Sequence, residues 1–284
     1  MRALAERVMM GPRHAIFLTV VLSAIPIPPV QFLGIALVGL VLLRHGAQRG
    51  LLVAGWNLLP LGFWTVFLGG PPITMQLLLV MIVGALVLRE TSSWRAVTVV
   101  AVIHGAILTL VVEPFAMEWF RQVMEPVVSY QEQHAPEGMT ERQLYKEMLA
   151  LMGAIHSLFF VGLMMLARWW QSTLFNPQAF GREMRGLRLT PMFTIGLIVA
   201  AVLCFVAGTP QTIFLVFVPA IVAGLALIHW LVADRNLGVG PLVALYVIVF
   251  VLNQLAILLI VLLSLIDSSF DLRKKLASQR VDDE

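Results

Sequence analysis

The stretch VQFLGIALVGLVLLRHGAQRG, residues 30–50, contains the pattern that decides the fold: an uncharged apolar run followed by a short gap with two arginines. Apolar runs of similar length recur to residue 266, and the charged residues lie almost entirely between them. Only 12% of the residues are charged, against about 25% in a soluble domain, and the mean hydropathy is +0.91. The sequence therefore predicts an all-α fold, a polytopic transmembrane helix bundle forming one integral membrane domain over residues 1–284.

The charge of the gaps between the apolar runs alternates along the chain. Basic gaps are typical of the cytoplasmic side of a membrane, where arginine and lysine accumulate in short loops. The alternation predicts a multi-pass protein of the bacterial inner (cytoplasmic) membrane with a cytoplasmic N-terminus. The basic gaps are residues 44–50, 89–95 and 168–190, and the uncharged or acidic gaps are 70–72, 113–147 and 208–211.

We expect eight or nine membrane segments, and the number depends on residues 14–43. This region is either one kinked helix or two short helices joined by a turn at 26–29, where prolines remove backbone donors. Two helices place twelve arginines inside and three basic residues outside, whereas one helix gives six against nine. The positive-inside rule therefore favours a proline-broken N-terminal hairpin. The expected segments are 14–25, 27–43, 51–69, 72–88, 95–112, 146–169, 191–207, 211–232 and 241–266.

The C-terminal tail has the cytoplasmic type of charge, although nine crossings would place it outside. It carries Arg273, Lys274, Lys275 and Arg280. Either one of the last three segments is re-entrant and the tail returns to the cytoplasm, or the tail is external. The sequence leaves both alternatives open.

Two segments outside the apolar runs have amphipathic character. Residues 113–147 intersperse large apolar side chains with charges, which predicts a helix lying at the outer interface. Within them, Thr140 and Gln143 have the spacing of a capping box that starts the next helix. Residues 168–190 predict a basic surface helix on the cytoplasmic side. Its candidates for binding anionic lipid or a protein partner are Arg182, Arg185 and Arg188.

Polar side chains inside the bilayer are costly, so each one is a candidate binding residue. His104 and His156 lie in consecutive apolar runs, and Trp64 lies deep in another. We expect these three to line a ligand pocket in the outer half of the membrane, with Glu113 and Glu118 at its mouth. The alternative is that each histidine only bonds a neighbouring helix.

Other polar and small residues in the predicted spans indicate helix packing or contact with a membrane partner. Asn253 and Gln254 lie at the centre of the last predicted span. At the start of the chain, small residues recur at every fourth position, the spacing of close helix contact. This ladder consists of Gly11, Ala15, Thr19 and Ser23.

The sequence contains no pattern of catalysis, cofactor binding or metal binding. The chain lacks His-Glu-x-x-His, Gly-x-Ser-x-Gly and Walker A motifs, and its single cysteine, Cys204, forms no cluster. No acidic residue accompanies His104 and His156 at the bilayer centre. We therefore predict a protein that is not an enzyme, with no cofactor, no metal and no nucleic-acid partner.

Three stretches resemble the YybS-like predicted bacterial membrane proteins, a family without an established function. They are SAIPIPPVQFLG (23–34), VLLRHGAQRGLLVAG (41–55) and ARWWQSTLFNPQAFGREMRGLRL (167–189), and the last is the most specific. The family is similar in helix pattern to the S-components of energy-coupling-factor vitamin transporters. Those are six-helix membrane proteins that bind a small molecule near the outer face.

The resemblance implies a division of the chain into three parts. Residues 1–170 would be the six-helix module, 171–190 a basic cytoplasmic segment, and 191–284 additional C-terminal helices. S-components carry an Ala-x-x-x-Ala pattern on the first helix, where they dock on the coupling subunit. The small-residue ladder stands in its place here.

Two functions follow from these expectations. The first is a small-molecule-binding or transport module resembling an S-component, with residues 113–135 as a lid over the predicted pocket. The second is a non-catalytic membrane scaffold or assembly protein that binds a protein partner or anionic lipid through its basic segment. A bound small molecule would favour the first, and a stable protein partner the second.

Overall fold

The computed structural model describes residues 2–69, 72–115, 117–132 and 140–283, with the backbone alone for 110–115, 117–119, 131, 132, 277 and 279–283. This part of the chain is all-helical. A 3-10 turn over Pro210–Thr212 follows α9. The α-helices are α1 Arg2–Met9, α2 Pro12–Ala24, α3 Pro28–Phe67, α4 Ile73–Thr91, α5 Trp94–Phe115, α6 Met117–Glu132, α7 Glu141–Phe175, α8 Ala179–Gly186, α9 Pro191–Val206, α10 Ile213–Val216, α11 Val218–Asp234, α12 Gly240–Leu252, α13 Gln254–Phe270 and α14 Leu272–Asp283.

Several of these helices have the length and composition of membrane spans. Three helices of the described part, α3, α4 and α7, are long and apolar enough to cross a membrane. Counting two bent pairs, α8 with α9 and Pro210–Val216 with α11, as one span each raises the number to five. The protein is therefore a helical membrane-spanning protein, and the eight or nine expected segments stay a prediction.

The chain forms two compact units, and each is discontinuous in sequence. The first consists of Met1–Ala101 and Leu158–Met184, and the second of Val102–Ser157 and Arg185–Glu284. Helices α5, α7 and α8 contribute residues to both units. The expected division at residues 170 and 190 stays a prediction.

In the first unit, α2 packs closely against the start of α3. The helix breaks between Ala24 and Pro28, in the proline-rich stretch. A Cβ atom added to Gly34 would lie 2.9 Å from the Ser23 hydroxyl and 3.2 Å from the Thr19 carbonyl oxygen. Only glycine at position 34 allows this approach, so the small face of α2 and this glycine fit together.

Helix α3 is not one straight rod, because the chain reverses at Gly46. This residue has φ 75° and ψ −168°, a conformation that favours glycine. A Cβ atom added to Gly50 would lie 2.3 Å from the Leu42 side chain. In a straight helix these two residues would be about 12 Å apart. The arms 28–45 and 47–67 therefore lie side by side, and the basic gap 44–50 forms the turn between them.

In the second unit, α13 packs against α9, α11, α12 and α14. Gly224 of α11 meets it so closely that an added Cβ atom would lie 2.3 Å from the carbonyl oxygen of Ile260. The start of α9 lies beside its end, where the Thr194 hydroxyl donates a 2.7 Å hydrogen bond to the Ser268 hydroxyl. Both bonded residues are buried.

The predicted span 241–266 is interrupted, which corrects the expectation of one continuous helix. Asn253 has a φ of 39°, and a right-handed helix cannot continue through a positive φ. Asparagine is one of the few non-glycine residues that tolerate this region. Helix α12 therefore ends at Leu252 and α13 begins at Gln254, with Asn253 and Gln254 exposed at the break.

Candidate functional site

The basic gaps 44–50 and 89–95 and the first part of the third gap, residues 168–183, meet at one end of the first unit. Arg89, at the end of α4, donates from Nη1 to the carbonyl oxygens of Leu43 (2.7 Å) and Arg44 (3.1 Å). Gln171 of α7 donates to the same Leu43 carbonyl at 3.2 Å. These bonds satisfy backbone acceptors that a helix end leaves open. They join residues 44–50, 89–95 and 168–183 into one surface, which we call the basic end.

A charged pair connects α7 to α8 within the basic end. Arg168 donates through two nitrogens to Glu183, with Nε 2.9 Å from Oε2, and a third nitrogen reaches Gln171. The Trp94 indole nitrogen lies 3.5 Å from the same carboxylate. A two-nitrogen arginine–carboxylate pair fixes geometry as well as charge. It therefore holds the short helix α8 against the ends of α5 and α7.

These contacts line a polar, partly open cavity of about 490 Å³. The two arginines and two glutamates that line the cavity balance in charge. The other arginines of the basic end give it a net positive charge. The basic end carries six arginines, namely Arg44, Arg49, Arg89, Arg95, Arg168 and Arg182, against two glutamates. Such a surface attracts phosphate or carboxylate groups. The cavity is lined by Leu43, Leu88, Arg89, Glu90, Ser92, Arg168, Gln171 and Glu183.

Several positive charges lie near the turn between the arms of α3. Arg44, Arg49 and Arg89 are all close enough to His45 to act on it electrostatically. The Arg44 guanidinium rests 4.1 Å from the centre of the Phe175 ring, a cation–π contact. We call residues 44–49 together with Arg89 the basic turn.

The second unit contains a buried ion-pair network at the end of α13. The Asp267 side chain is 3% exposed, and Arg273 donates to its Oδ2 at 3.2 Å. Arg188 lies 3.9 Å from the same oxygen and pairs with Asp271 at 2.8 Å. Burial lowers the pKa of Arg273, and the Asp267 carboxylate opposes that effect. Two arginines thus share one buried carboxylate, and the carboxylate of the more exposed Asp271 balances the second positive charge.

This network also fixes where the C-terminal tail begins. Arg273 donates to the backbone carbonyl oxygens of Arg185 and Leu187, the latter at 2.7 Å. Arg188 donates in return to the carbonyl oxygens of Asp267 and Ser268 at the end of α13. The start of α14 and residues 185–188 therefore lie at the same end of the second unit.

The predicted lipid or partner surface divides between the two units. Arg182 is exposed in the first unit, and Arg185 is half-buried in the second. Arg188 is engaged with Asp267 and Asp271, so its charge serves to hold the end of α13. Sequence reasoning missed this network because Arg188 and Asp267 are 79 residues apart. The one available signal was an aspartate at the end of the last apolar run.

The two predicted pocket histidines lie on packed helices of the second unit. A Cβ atom added to Gly105 would lie 2.7 Å from the carbonyl oxygen of Gly153, so α5 and α7 touch beside these residues. His156 shares a 2.7 Å hydrogen bond with the Met152 carbonyl oxygen. His104 is buried and close enough to His156 for an electrostatic interaction.

The other predicted pocket residues do not join them in the described part. Trp64 belongs to the first unit, where its indole nitrogen donates to the Ala24 carbonyl oxygen at 2.9 Å. This bond caps the end of α2. The side chains of Glu113 and Glu118 lie outside the described residues. The outer pocket therefore stays a prediction.

The small-residue ladder is the buried face of α2 and bonds a polar residue of α3. Ala15, Thr19 and Ser23 are all 2% exposed or less, and Gly11 precedes the helix. The Asn57 amide nitrogen donates to the Thr19 hydroxyl at 2.7 Å, and the Ser23 hydroxyl donates to the Asn57 amide oxygen at 2.8 Å. The polar side chains of Asn57, Thr19 and Ser23 thus hydrogen-bond one another, as polar residues do between packed membrane helices.

The predicted capping box at the start of α7 is present. The Gln143 side chain accepts from the Thr140 backbone nitrogen at 2.8 Å, and the Gln143 backbone nitrogen donates to the Thr140 hydroxyl at 3.3 Å. Nearby, Arg121 of α6 lies over the Tyr145 ring and Phe120 packs against it. These contacts hold α6 on the first turns of α7.

Comparison with protein-family models, curated proteins and solved structures finds no match to this chain. The resemblance to YybS-like membrane proteins therefore stays a prediction. Helix bundles support many unrelated functions, so the fold alone does not indicate one. The basic end and the buried network are the features from which a function can be argued.

Proposed function

We propose that this chain is a non-catalytic protein of the bacterial inner membrane that binds an anionic partner at its basic end, as a scaffold or assembly protein does. The observation that carries the proposal is the meeting of three basic gaps at one end of the first unit. They are far apart in sequence, and Arg89 and Gln171 bond them together at Leu43. A partner would meet one continuous positive surface.

The state of the individual arginines supports this assignment. Arg168 is paired with Glu183, and Arg89 is bonded to helix carbonyls. Within the described residues, no carboxylate lies within 4 Å of the other four arginines of the basic end. Guanidinium groups bind phosphate and carboxylate through two parallel hydrogen bonds. The positive charges of four arginines at the basic end are therefore available to an anion of a ligand or partner. These are Arg44, Arg49, Arg95 and Arg182.

The proposal includes an orientation in which the N-terminus and the basic end are cytoplasmic. The positive-inside rule supports it, since the basic end collects six arginines from three gaps. In this orientation, α2 and the arm 28–45 form a hairpin whose two ends are both on the cytoplasmic side. The helix break at residues 25–27 and the close contact at Gly34 support that hairpin.

The same proposal places the C-terminal tail in the cytoplasm. Arg273 bonds the carbonyl oxygens of Arg185 and Leu187, so the chain crosses an even number of times, or not at all, between them. Helices α12 and α13 would be about 20 and 26 Å long, each shorter than the roughly 30 Å hydrocarbon core. They fit a re-entrant pair that turns at Asn253.

Binding of a defined anion to protein in phosphatidylcholine nanodiscs tests the proposal. We expect a fluorescent hexaglutamate peptide to bind wild type in a salt-sensitive manner. We expect the double variants Arg44→Gln/Arg49→Gln and Arg95→Gln/Arg182→Gln to bind more weakly. The matched control is Arg7→Gln/Arg142→Gln, which removes two exposed arginines elsewhere. Equal binding by all four proteins would contradict an anion site at the basic end.

A second candidate is a small-molecule-binding or transport module of S-component type, and the proximity of His104 and His156 favours it. His104→Ala and His156→Ala separate this function from simple packing. Loss of activity in cells with an unchanged melting temperature would support a ligand site. Loss of stability in detergent without any ligand would show that the histidines serve helix packing.

A further inference from the structure

We propose that the basic turn binds the phosphate of an anionic phospholipid, whose acyl chain lies along the exposed face of the arm 47–67. The inference rests on the proposed function, because it names the anion for one part of the basic end. Three features carry it: the positive charge at the turn, the rigid placement of Arg44, and a lipid-facing ridge that begins at Arg49.

The charge at the basic turn lacks a counterion in the described structure. Arg44, Arg49 and Arg89 are all close enough to His45 to act on it electrostatically, and Arg89 is bonded to the carbonyl oxygens of Leu43 and Arg44. No carboxylate of the described residues lies within 4 Å of Arg44 or Arg49. Like charges without a counterion repel one another, and an anion bound beside them reduces the repulsion. A phosphate fits because guanidinium groups bond two of its oxygens at once.

The turn is held in one geometry before any ligand arrives. Gly46 reverses the chain with a φ of 75°, and the Arg89 side chain lies 3.2 Å from where its Cβ would be. Arg44 is placed on the Phe175 ring at 4.1 Å. Binding then costs little side-chain entropy, because these cations are already positioned.

A ridge of exposed apolar side chains begins directly at this turn. The ridge is formed by Leu52 (51% exposed), Trp56 (48%), Leu59 (62%) and Phe63 (51%). Together with Arg49, these residues are spaced by three or four positions, so they share one face of the helix. From Arg49 to Phe63 the face is about 21 Å long, more than half of a roughly 30 Å hydrocarbon core.

This combination selects a lipid over other anions. A soluble phosphate or an acidic peptide would occupy the cations but leave the ridge unused. In a phospholipid the acyl chains extend from the phosphate, and in this protein the apolar ridge extends along the helix from Arg49. Basic pockets at the cytoplasmic ends of membrane helices bind anionic headgroups in this way. The site takes the phosphate of a lipid such as phosphatidylglycerol.

Native mass spectrometry of the detergent-purified full chain, titrated with phosphatidylglycerol, tests the inference. Each arginine near an anionic headgroup contributes about fivefold in affinity, so Arg44→Gln/Arg49→Gln should weaken binding about 25-fold. Arg7→Gln/Arg142→Gln should bind like wild type. The melting temperature of each variant in detergent verifies the fold. If the double variant unfolds, the exposed Arg49→Gln alone should still weaken binding about fivefold.

Two further measurements distinguish the source of the phosphate. Glycerol 1-phosphate, which has no acyl chain, should not displace phosphatidylglycerol at equal concentration. Displacement would show that the site takes a soluble phosphate and would overturn the lipid assignment. Brominated phosphatidylglycerol should quench tryptophan fluorescence less in Trp56→Phe than in wild type. If hexaglutamate binding depends on Arg95 and Arg182 while phosphatidylglycerol affinity is the same in all variants, the lipid inference fails and the proposed function stands.

Discussion

Replacing Asp267 by asparagine should destabilise the second unit. Its side chain is 3% exposed and faces Arg273 at 3.2 Å and Arg188 at 3.9 Å. Asparagine has nearly the same shape and keeps one acceptor oxygen for Arg273. Its amide nitrogen can take the place of Oδ1, which has no hydrogen-bond partner within the described residues. The substitution therefore removes the charge with little change in packing.

The expected cost is about 3 kcal/mol, the lower part of the range for removing one partner of a buried ion pair. Arg188 keeps Asp271 at 2.8 Å, and Arg273 keeps two backbone carbonyl oxygens, so the loss is not larger. Thermal unfolding in detergent would show a decrease of roughly 6 to 12 °C, at about 2 to 4 °C per kcal/mol.

Asp271→Asn is the matched control for Asp267→Asn. Its carboxylate belongs to the same network, but the side chain is 40% exposed, so we expect a loss of less than about 1 kcal/mol. A double-mutant cycle with Arg273→Gln should give a coupling energy for Asp267 and Arg273 that the control pair lacks. If Asp267→Asn melts at the wild-type temperature, the buried ion pair does not stabilise the end of α13.

Three more predictions concern topology and packing. In a cysteine-free background, cysteines at Gly186 and Ser278 should react with an impermeant reagent from the same side of the membrane, because Arg273 bonds residues 185 and 187. Reaction from opposite sides would show that residues 185–188 and α14 do not lie at the same end. Gly224→Ala should lower the melting temperature by the equivalent of about 1 to 3 kcal/mol, because the new methyl group would lie 2.3 Å from the Ile260 carbonyl oxygen. The control Gly196→Ala places its methyl group within 4 Å of no other atom and should leave the melting temperature unchanged. Asn57→Ala should cost about 1 to 3 kcal/mol, because it removes two hydrogen bonds between α2 and α3 and one to the Val53 carbonyl oxygen within α3. An unchanged melting temperature would refute that role.

The helical membrane class could be predicted from the sequence because it depends on composition. Apolar runs separated by arginines leave few alternatives in a bilayer, where backbone polar groups must bond within the helix. Local signals were also readable. The prolines at 26, 28 and 29 mark the break after α2, and Thr140 with Gln143 marks the start of α7. Each of these signals acts over a few residues.

The contacts that make up the site could not be predicted in the same way. Asn57 bonds Thr19 across 38 residues, and Arg188 pairs with Asp267 across 79. Nothing in the sequence near either residue specifies its distant partner. The break at Asn253 was missed for a related reason, since asparagine tolerates a positive φ but does not require one. Hydropathy alone describes that region as one continuous span.

The partners of each arginine explain why a count of positive charge is a poor guide to binding. Arg182 and Arg188 are six residues apart in the same basic gap. Arg188 is occupied by Asp267 and Asp271, so removing it should destabilise the fold. Arg182 is exposed, with no carboxylate within 4 Å among the described residues, so its charge is available to a ligand. Binding therefore depends on which guanidinium groups the fold leaves without a carboxylate, and the basic end of the first unit retains four of them.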